Sequence, residues 1–321
     1  MKKNNRFTLI ATFLLGVLLY TILQFARDLN VAWDGSALEP RSIPEIEQPD
    51  SESSGPIIST LDELKTLLQD SSINPDMALA NYADWGEQRG FYGANRLLFS
   101  PAEAPQRLAT ITEGQLQSMS QAGDLSASQE LARRNLFTNT GTAANYYQKA
   151  ARQGSTAALI RLGSLLATIS KLKELEDTAS QTQNDLAALA AAELDQDLMQ
   201  TAFAVTLVAV RDGGPPVIDP SLLDWLTSTA EQLSPQQLQR ACAYSETLLL
   251  DIAGQRLKWN KPAIAAQPPL FFFSVPNLSK RLPCSGTLHP IEVLMDLDSC
   301  ATIPILNATN EPLNLQICQN D

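Results

Sequence analysis

Four cysteines, a lone histidine and one Asp-x-Asp pair are the residues whose types could do chemistry here: Cys242, Cys284, Cys300, Cys318, His289, Asp296 and Asp298. A Cys/His nucleophile pair needs the two groups to converge, with a third group to orient the base. His289 lies close to Cys284 in sequence and beside Pro290, but the spacing supplies no orienting partner. A zinc site built from His289 and three cysteines would lack any Cys-x-x-Cys step. Asp296 and Asp298 have the spacing of acidic pairs that bind divalent cations, yet no third or fourth ligand is visible, and a strand end meeting a turn accounts for them equally. Two carboxylates far apart in sequence can converge for glycoside hydrolysis, but no motif marks such a pair. The chain also lacks a glycine-rich phosphate loop, a Gly-x-Ser-x-Gly elbow and a His-Glu-x-x-His helix. The reading is a chain with no catalytic residue, no metal and no cofactor.

The cysteines point to a compartment instead. Three of the four fall in the last 38 residues, and none lies near the N-terminus. An oxidising environment allows disulfides. Four cysteines permit three pairings, which sequence does not separate. A pair within the final segment, such as Cys284 with Cys300 or Cys318, is expected. Cys242 falls on a predicted helix, where it is either a buried thiol or a tie to the C-terminal segment. Asn277-Leu278-Ser279 and Asn307-Ala308-Thr309 match the glycosylation pattern, but the bacterial character of the chain makes these chance matches.

The N-terminus supplies the route to that compartment. Residues 7–25 form an uninterrupted run with only Thr8, Thr12, Thr21 and Gln24 polar. This is close to the ~20 residues that span a bilayer. Lys2, Lys3 and Arg6 precede it and hold the tip in the cytoplasm. A cleaved signal peptide has a shorter apolar core and a small-x-small site, which Gln24-Phe25-Ala26 does not supply. Residues 1–26 are therefore expected to be a cytoplasmic tip and an uncleaved inner-membrane anchor, with the bulk of the chain periplasmic. The chain has 23 basic and 35 acidic residues. Without Lys2, Lys3 and Arg6 the exported part has 20 against 35, or −15. Such a surface repels nucleic acid and anionic lipid headgroups.

Residues 27–58 read as a disordered linker. Pro40, Pro44, Pro49 and Pro56 lie among Ser51, Ser53, Ser54 and acidic residues, with little apolar period. Helices follow. Leu61, Leu64, Leu67 and Leu68 share a face over residues 59–68. Asn74-Pro75, Asp219-Pro220 and Ser234-Pro235 each pair a cap with proline at the first helical position, and Gln237 completes a capping box with Ser234. Thr112 opens a short helix with Leu116 and Met119 inward. Ser155 caps another, which carries Leu159, Leu162, Leu165 and Leu166. Residues 171–192 read as one long helix. Residues 202–210 are apolar all round, so they belong at the centre. Gly213-Gly214-Pro215-Pro216 ends that helix. After residue 262 the pattern changes. Phe271-Phe272-Phe273, the alternation of Ile291, Val293 and Met295, residues 303–306 and residues 313–318 are strand candidates, with Pro304, Asn307, Asn310 and Pro312 between them. Residues 263–321 are read as a small β-rich segment with a thin core, its phenylalanines packed on the helices.

Self-similarity ties the helices together. Gly123, Ala127 and Leu131 recur 31 residues later as Gly154, Ala158 and Leu162. Ala143, Tyr147, Ala150 and Ala151 share one face of the helix before the second turn. Gly154 suits a helix C′ position, where positive φ costs glycine little. Tyr146-Tyr147, Lys149-Ala150-Ala151, Gly154, Ala158 and Leu162-Gly163 resemble the Sel-one-like repeat, a relative of the tetratricopeptide repeat. The close match covers residues 122–166, and the flanking copies are degenerate. The resemblance implies an all-α fold over residues 59–262, an α-solenoid of helix-turn-helix repeats. It also implies a non-enzymatic scaffold or adaptor that assembles or regulates an envelope complex by burying part of a protein partner in a concave face. Tyr147 is expected in the core. Tyr146, Lys149 and Arg152 are the residues on or near the best repeat expected to touch the partner. Two rivals are a cell-wall-acting periplasmic enzyme and a structural subunit of an envelope machine.

Overall fold

A computed structural model describes residues 55–91, 106–180, 185–258, 268–284, 300–307 and 310–318. The tip and anchor at residues 1–26, most of the linker, His289, Asp296, Asp298 and the strand candidate at residues 291–295 lie outside the described residues. No described helix is long and apolar enough to cross a membrane.

The described part is mostly helical, and its helices begin where local chemistry favours a cap. Helix α1 (Leu61–Asp70) starts at a reciprocal capping box between Thr60 and Glu63. In α2 (Pro75–Gln88) the Asn74 side chain accepts from the N–H groups of Asp76 and Met77, and Pro75 occupies the first turn, where it has no N–H to waste. After the single turn α3 (Gln106–Ala109), α4 (Glu113–Gln121) repeats the capping box with Thr112 and Gln115. Helix α5 (Leu125–Asn135) is capped by Asp124 and α6 (Thr140–Arg152) by Asn139. The long helices α7 (Thr156–Ser180) and α8 (Asp185–Gly213) follow, then α9 (Pro220–Gln232) and α10 (Pro235–Lys258). The helix expected over residues 171–192 is instead shared between the end of α7 and the start of α8. Its polar first half closes one long helix and its alanine-rich second half opens the next.

Among the described helices, three end in the same turn closed by glycine, and α1 ends in its counterpart closed by Ser72 at φ 62°. Gly90, Gly123 and Gly154 have φ of 79°, 94° and 119°. After α6, the Gly154 N–H donates to Ala151 (3.0 Å) and the Ser155 N–H to Ala150 (2.9 Å). After α4, Gly123 donates to Ser120 (3.2 Å) and Asp124 to Met119 (3.0 Å). After α2, Gly90 donates to Glu87 (3.0 Å) and Phe91 to Gly86 (2.9 Å). This is the paired Schellman closure, which satisfies the last carbonyls of the helix and needs a left-handed residue. The 31-residue recurrence seen in sequence is thus a recurrence of turn geometry, and Gly90 extends it one step upstream.

Helices α7 and α8 form the most extensive helix pair. They run antiparallel, because Thr156 meets Asp212 while Gly163 meets Ala202 and Thr206. A Cβ on Gly163 would collide with Thr206 Oγ1 and stand 3.1 Å from the Ala202 carbonyl, so glycine sets how closely these helices approach. On α8, Ala202 to Val210 are all buried, as their unbroken apolar character requires. Gly214, at φ 65°, then turns the chain into a short 3-10 turn, Pro215–Val217, before α9.

The C-terminal segment is an antiparallel sheet of β1 (Phe271–Ser274), β3 (Pro312–Cys318) and β2 (Cys300–Leu306), in the order β1-β3-β2. Every residue of β1 is buried. The Phe271 ring stands 4.7 Å from that of Tyr82 on α2, and the Leu270 N–H donates to Asn81 Oδ1 at 2.8 Å. The sheet therefore returns to the first helices. Residues 55–58, read as the end of the linker, run along the free edge of β2: Ile58 donates to Leu306 (2.9 Å), and Leu306 donates to Pro56 (3.0 Å). Pro304, read as a separator, lies within β2, where an outer strand tolerates a missing N–H. A short helix, α11 (Leu278–Arg281), follows β1.

The cysteines pair as Cys242–Cys284 and Cys300–Cys318. The bridge expected within the final segment is present, but it joins Cys300 to Cys318 and not Cys284 to either. Cys300 and Cys318 are direct cross-strand partners with Cα atoms 3.9 Å apart. The Cys318 N–H points the other way, to Leu270 (2.9 Å), so the pair sits at a non-hydrogen-bonded position, where strands come closest. Cys284 is left to reach Cys242, which ties α10 to the C-terminal segment.

Candidate functional site

One flank of α6, from exposed Asn145 to buried Ala151, forms one wall of a groove. Ala144, Asn145, Gln148, Ala151 and Arg152 line this wall. Leu159, Leu162 and Leu166 of α7 and Val205 of α8 supply an apolar floor, and Tyr244, Leu248 and Ile252 of α10 close the far side. The groove holds about 190 Å³. Small-molecule sites usually offer roughly 300–1,000 Å³, so this volume suits one or two side chains of a docked segment. At one end Arg152 Nε faces Asp251 Oδ2 at 3.6 Å, with both side chains more than two-fifths exposed. Asn145 and Gln148 stand on the rim with no described hydrogen-bond partner.

The three residues singled out in sequence do not share this face. Arg152 lines the groove. Tyr146 points to the opposite side of α6 and packs on a cluster of Leu108, Leu116, Ala127 and Leu131. Lys149 lies between them, half-buried, and burial lowers its ammonium pKa. Tyr147 is in the core, with burial raising its phenol pKa. Asn145, Gln148, Tyr244 and Leu248 were not legible as one surface. They come from two helices about a hundred residues apart in sequence, and the spacing within either helix does not reveal the other.

The groove rests on a buried polar seam. Ser128 Oγ donates to Gln153 Oε1 (2.6 Å), and Gln153 Nε2 donates to the Ser120 carbonyl (2.7 Å). Gln129 Nε2 donates to the Gly90 carbonyl (3.1 Å) and to Ser155 Oγ (2.9 Å). The Ala157 N–H donates to the Arg89 carbonyl (3.1 Å). These bonds tie the ends of α2, α4 and α6 to the starts of α5 and α7. Thr156 Oγ1 then donates to Asp212 Oδ2 (2.6 Å), and Arg256 grips the same carboxylate with both terminal nitrogens (2.9 and 3.0 Å). Arg89 lies over the Trp85 ring at 4.0 Å. Its pKa is pushed down to about 10 by burial and by Arg256, against an opposing pull from Asp212. Arg89 follows the C-terminus of α2 and Arg256 is in the last turn of α10, where helix dipoles favour cations.

Among the described residues no group of three or more His, Cys, Asp or Glu side chains converges. No protein-family model, curated protein or solved structure matches the chain.

Proposed function

We propose that this chain is a non-enzymatic adaptor, a helical solenoid of the Sel-one-like, tetratricopeptide-related kind. In this reading residues 7–25 anchor it in the bacterial inner membrane, and the helices in the periplasm hold a segment of a protein partner in the assembly or regulation of an envelope complex. One observation carries the reading: the same glycine-closed turn ends α2, α4 and α6, and it stacks the helices so that α6, α7, α8 and α10 frame a groove with an apolar floor and a polar rim. Two disulfides suit an oxidising compartment. The groove volume favours side chains of a protein over a metabolite.

In-cell crosslinking of the full-length chain, followed by mild solubilisation and mass spectrometry, tests the proposal. One dominant envelope protein should be captured. Its yield should fall at least several-fold when Asn145→Trp and Gln148→Trp crowd the groove, with expression unchanged. Capture that is indifferent to the groove, or no specific partner at native expression, overturns the reading.

A further inference from the structure

The outward face of α10 is apolar where a solvated helix would be polar. Leu250 is 74% exposed and Leu257 is 73% exposed. They lie seven residues apart, two turns along one face. Ala243, Thr247 and Gly254 are also exposed and fill the same stripe at steps of four and three. A Cβ on Gly254 would meet nothing within 4 Å. No described element covers this stripe.

The charges along it are not those of the chain. The whole chain carries −12. On α10, Asp251 is faced by Arg152 at 3.6 Å, and Glu246 lies near enough to Arg211 of α8 to oppose the fall that burial imposes on the Arg211 pKa. Arg240 and Lys258 continue the apolar stripe at its two ends, both are exposed, and no described side chain pairs with either. With Asp251 facing Arg152, the stripe presents leucines between two exposed cations. A second copy of this helix fits poorly, because antiparallel pairing about Leu250 brings each Arg240 within two residues of the other copy's Lys258, cation near cation. A surface of anionic headgroups over hydrocarbon matches both features. Leucines enter the boundary between headgroup and chain, and the cations face phosphate.

We infer that α10 docks flat on the anionic membrane surface through Leu250, Leu257, Arg240 and Lys258. This inference rests on the membrane-anchor reading above and refines it, since the tether then lets the folded part lie down on the bilayer. Residues 27–54 can reach roughly 90–100 Å when extended, ample for either posture.

The test uses the full-length chain in nanodiscs, with an environment-sensitive NBD label on Gly254→Cys and a control label on exposed Phe137→Cys. Discs contain brominated-chain phosphatidylcholine, with or without phosphatidylglycerol. Co-elution with discs reports the anchor separately from the docking. Docking predicts blue-shifted, bromine-quenched emission at position 254 only in phosphatidylglycerol discs. It also predicts loss of that signal at high salt and in Leu250→Glu/Leu257→Glu and Arg240→Glu/Lys258→Glu variants whose near-ultraviolet circular dichroism is unchanged. Aqueous emission from a co-eluting protein overturns the inference while sparing the anchor. A blue shift without bromine quenching that grows with protein concentration also overturns it, in favour of a second copy. Failure to co-elute overturns the anchor reading and the inference with it.

Discussion

Arg256 and Asp212 meet as a two-pronged ion pair with 5% and 1% of their side chains exposed. Thr156 supplies a third bond to the same carboxylate, so the ends of α8 and α10 and the start of α7 converge on one anion. Burying both charges costs solvation, and the three hydrogen bonds to the Asp212 carboxylate offset that cost, although the buried Arg256 Nε has no described partner. Removing one partner leaves the other buried and alone. Asp212→Ala should therefore destabilise the fold by about 3–5 kcal/mol, whereas Asp212→Leu/Arg256→Met should recover much of the loss. Urea denaturation of both variants tests this, and equal losses would count against a paired role.

The glycines make separable predictions. Gly154→Ala forces a side chain onto φ 119° and should cost at least about 1 kcal/mol, visible as a lowered thermal midpoint. Gly163→Ala creates a collision with Thr206 where α7 packs on α8, an overpacking cost of about 1–3 kcal/mol. Thr206→Ala added to Gly163→Ala should relieve part of it. Additive losses in the double variant would refute the contact.

Non-reducing peptide mapping should recover Cys242 linked to Cys284 and Cys300 linked to Cys318. The second bridge spans a sequence separation of 18, for which chain entropy gives about 3 kcal/mol. Cys300→Ser/Cys318→Ser should lower stability by roughly that amount under oxidising conditions and by far less in reductant. A peptide joining Cys284 to Cys300 would contradict the sheet register.

Acid should act through Glu130. Burial raises its carboxyl pKa, but hydrogen bonds from Arg133 and Arg134, at 2.7 and 2.8 Å, outweigh that and leave it below its usual 4.5. A carboxylate whose folded pKa is lowered stabilises the fold above its unfolded pKa and loses that contribution as pH falls through the folded value. Glu130→Gln should flatten the decline in thermal midpoint below pH 4.5 while leaving the neutral-to-alkaline profile in place. A parallel decline in both proteins would remove Glu130 from the account.

Base should act through Tyr82. Complete burial raises its phenol well above the usual 10, so the folded state keeps the proton where the unfolded state releases it. Stability then falls as pH climbs past 10. Tyr82→Phe should show a shallower alkaline decline in the same measurement. An unchanged slope would exclude it.

The sequence was most legible where structure is decided locally. Asn74-Pro75, Asp219-Pro220 and Ser234-Pro235 announced helix starts because caps and prolines act within one turn. Gly154 announced a stop for the same reason. Phe271-Phe272-Phe273 read as a buried strand because its apolar run is unbroken. What stayed hidden depends on distant partners. Arg89, Asp212 and Arg256 are 123 and 44 residues apart in turn and share no pattern. The disulfide pairing follows strand register, which is set by the whole sheet. Arg152 was found as a cation on a helix, but the groove that gives it a setting needs three further helices. Tyr146 shares its sequence neighbourhood and faces the other way.

The bond from Ile58 to Leu306 joins the first described residues to the last strands, and Tyr82 and Asn81 hold the same sheet from the helical side. Chain ends left loose can fray one at a time. Here the first described residues and the last strands are latched together, so neither opens without tearing the latch. Amide exchange in this protein should thus show α1 and α2 opening together with the carboxy-terminal strands, as one event.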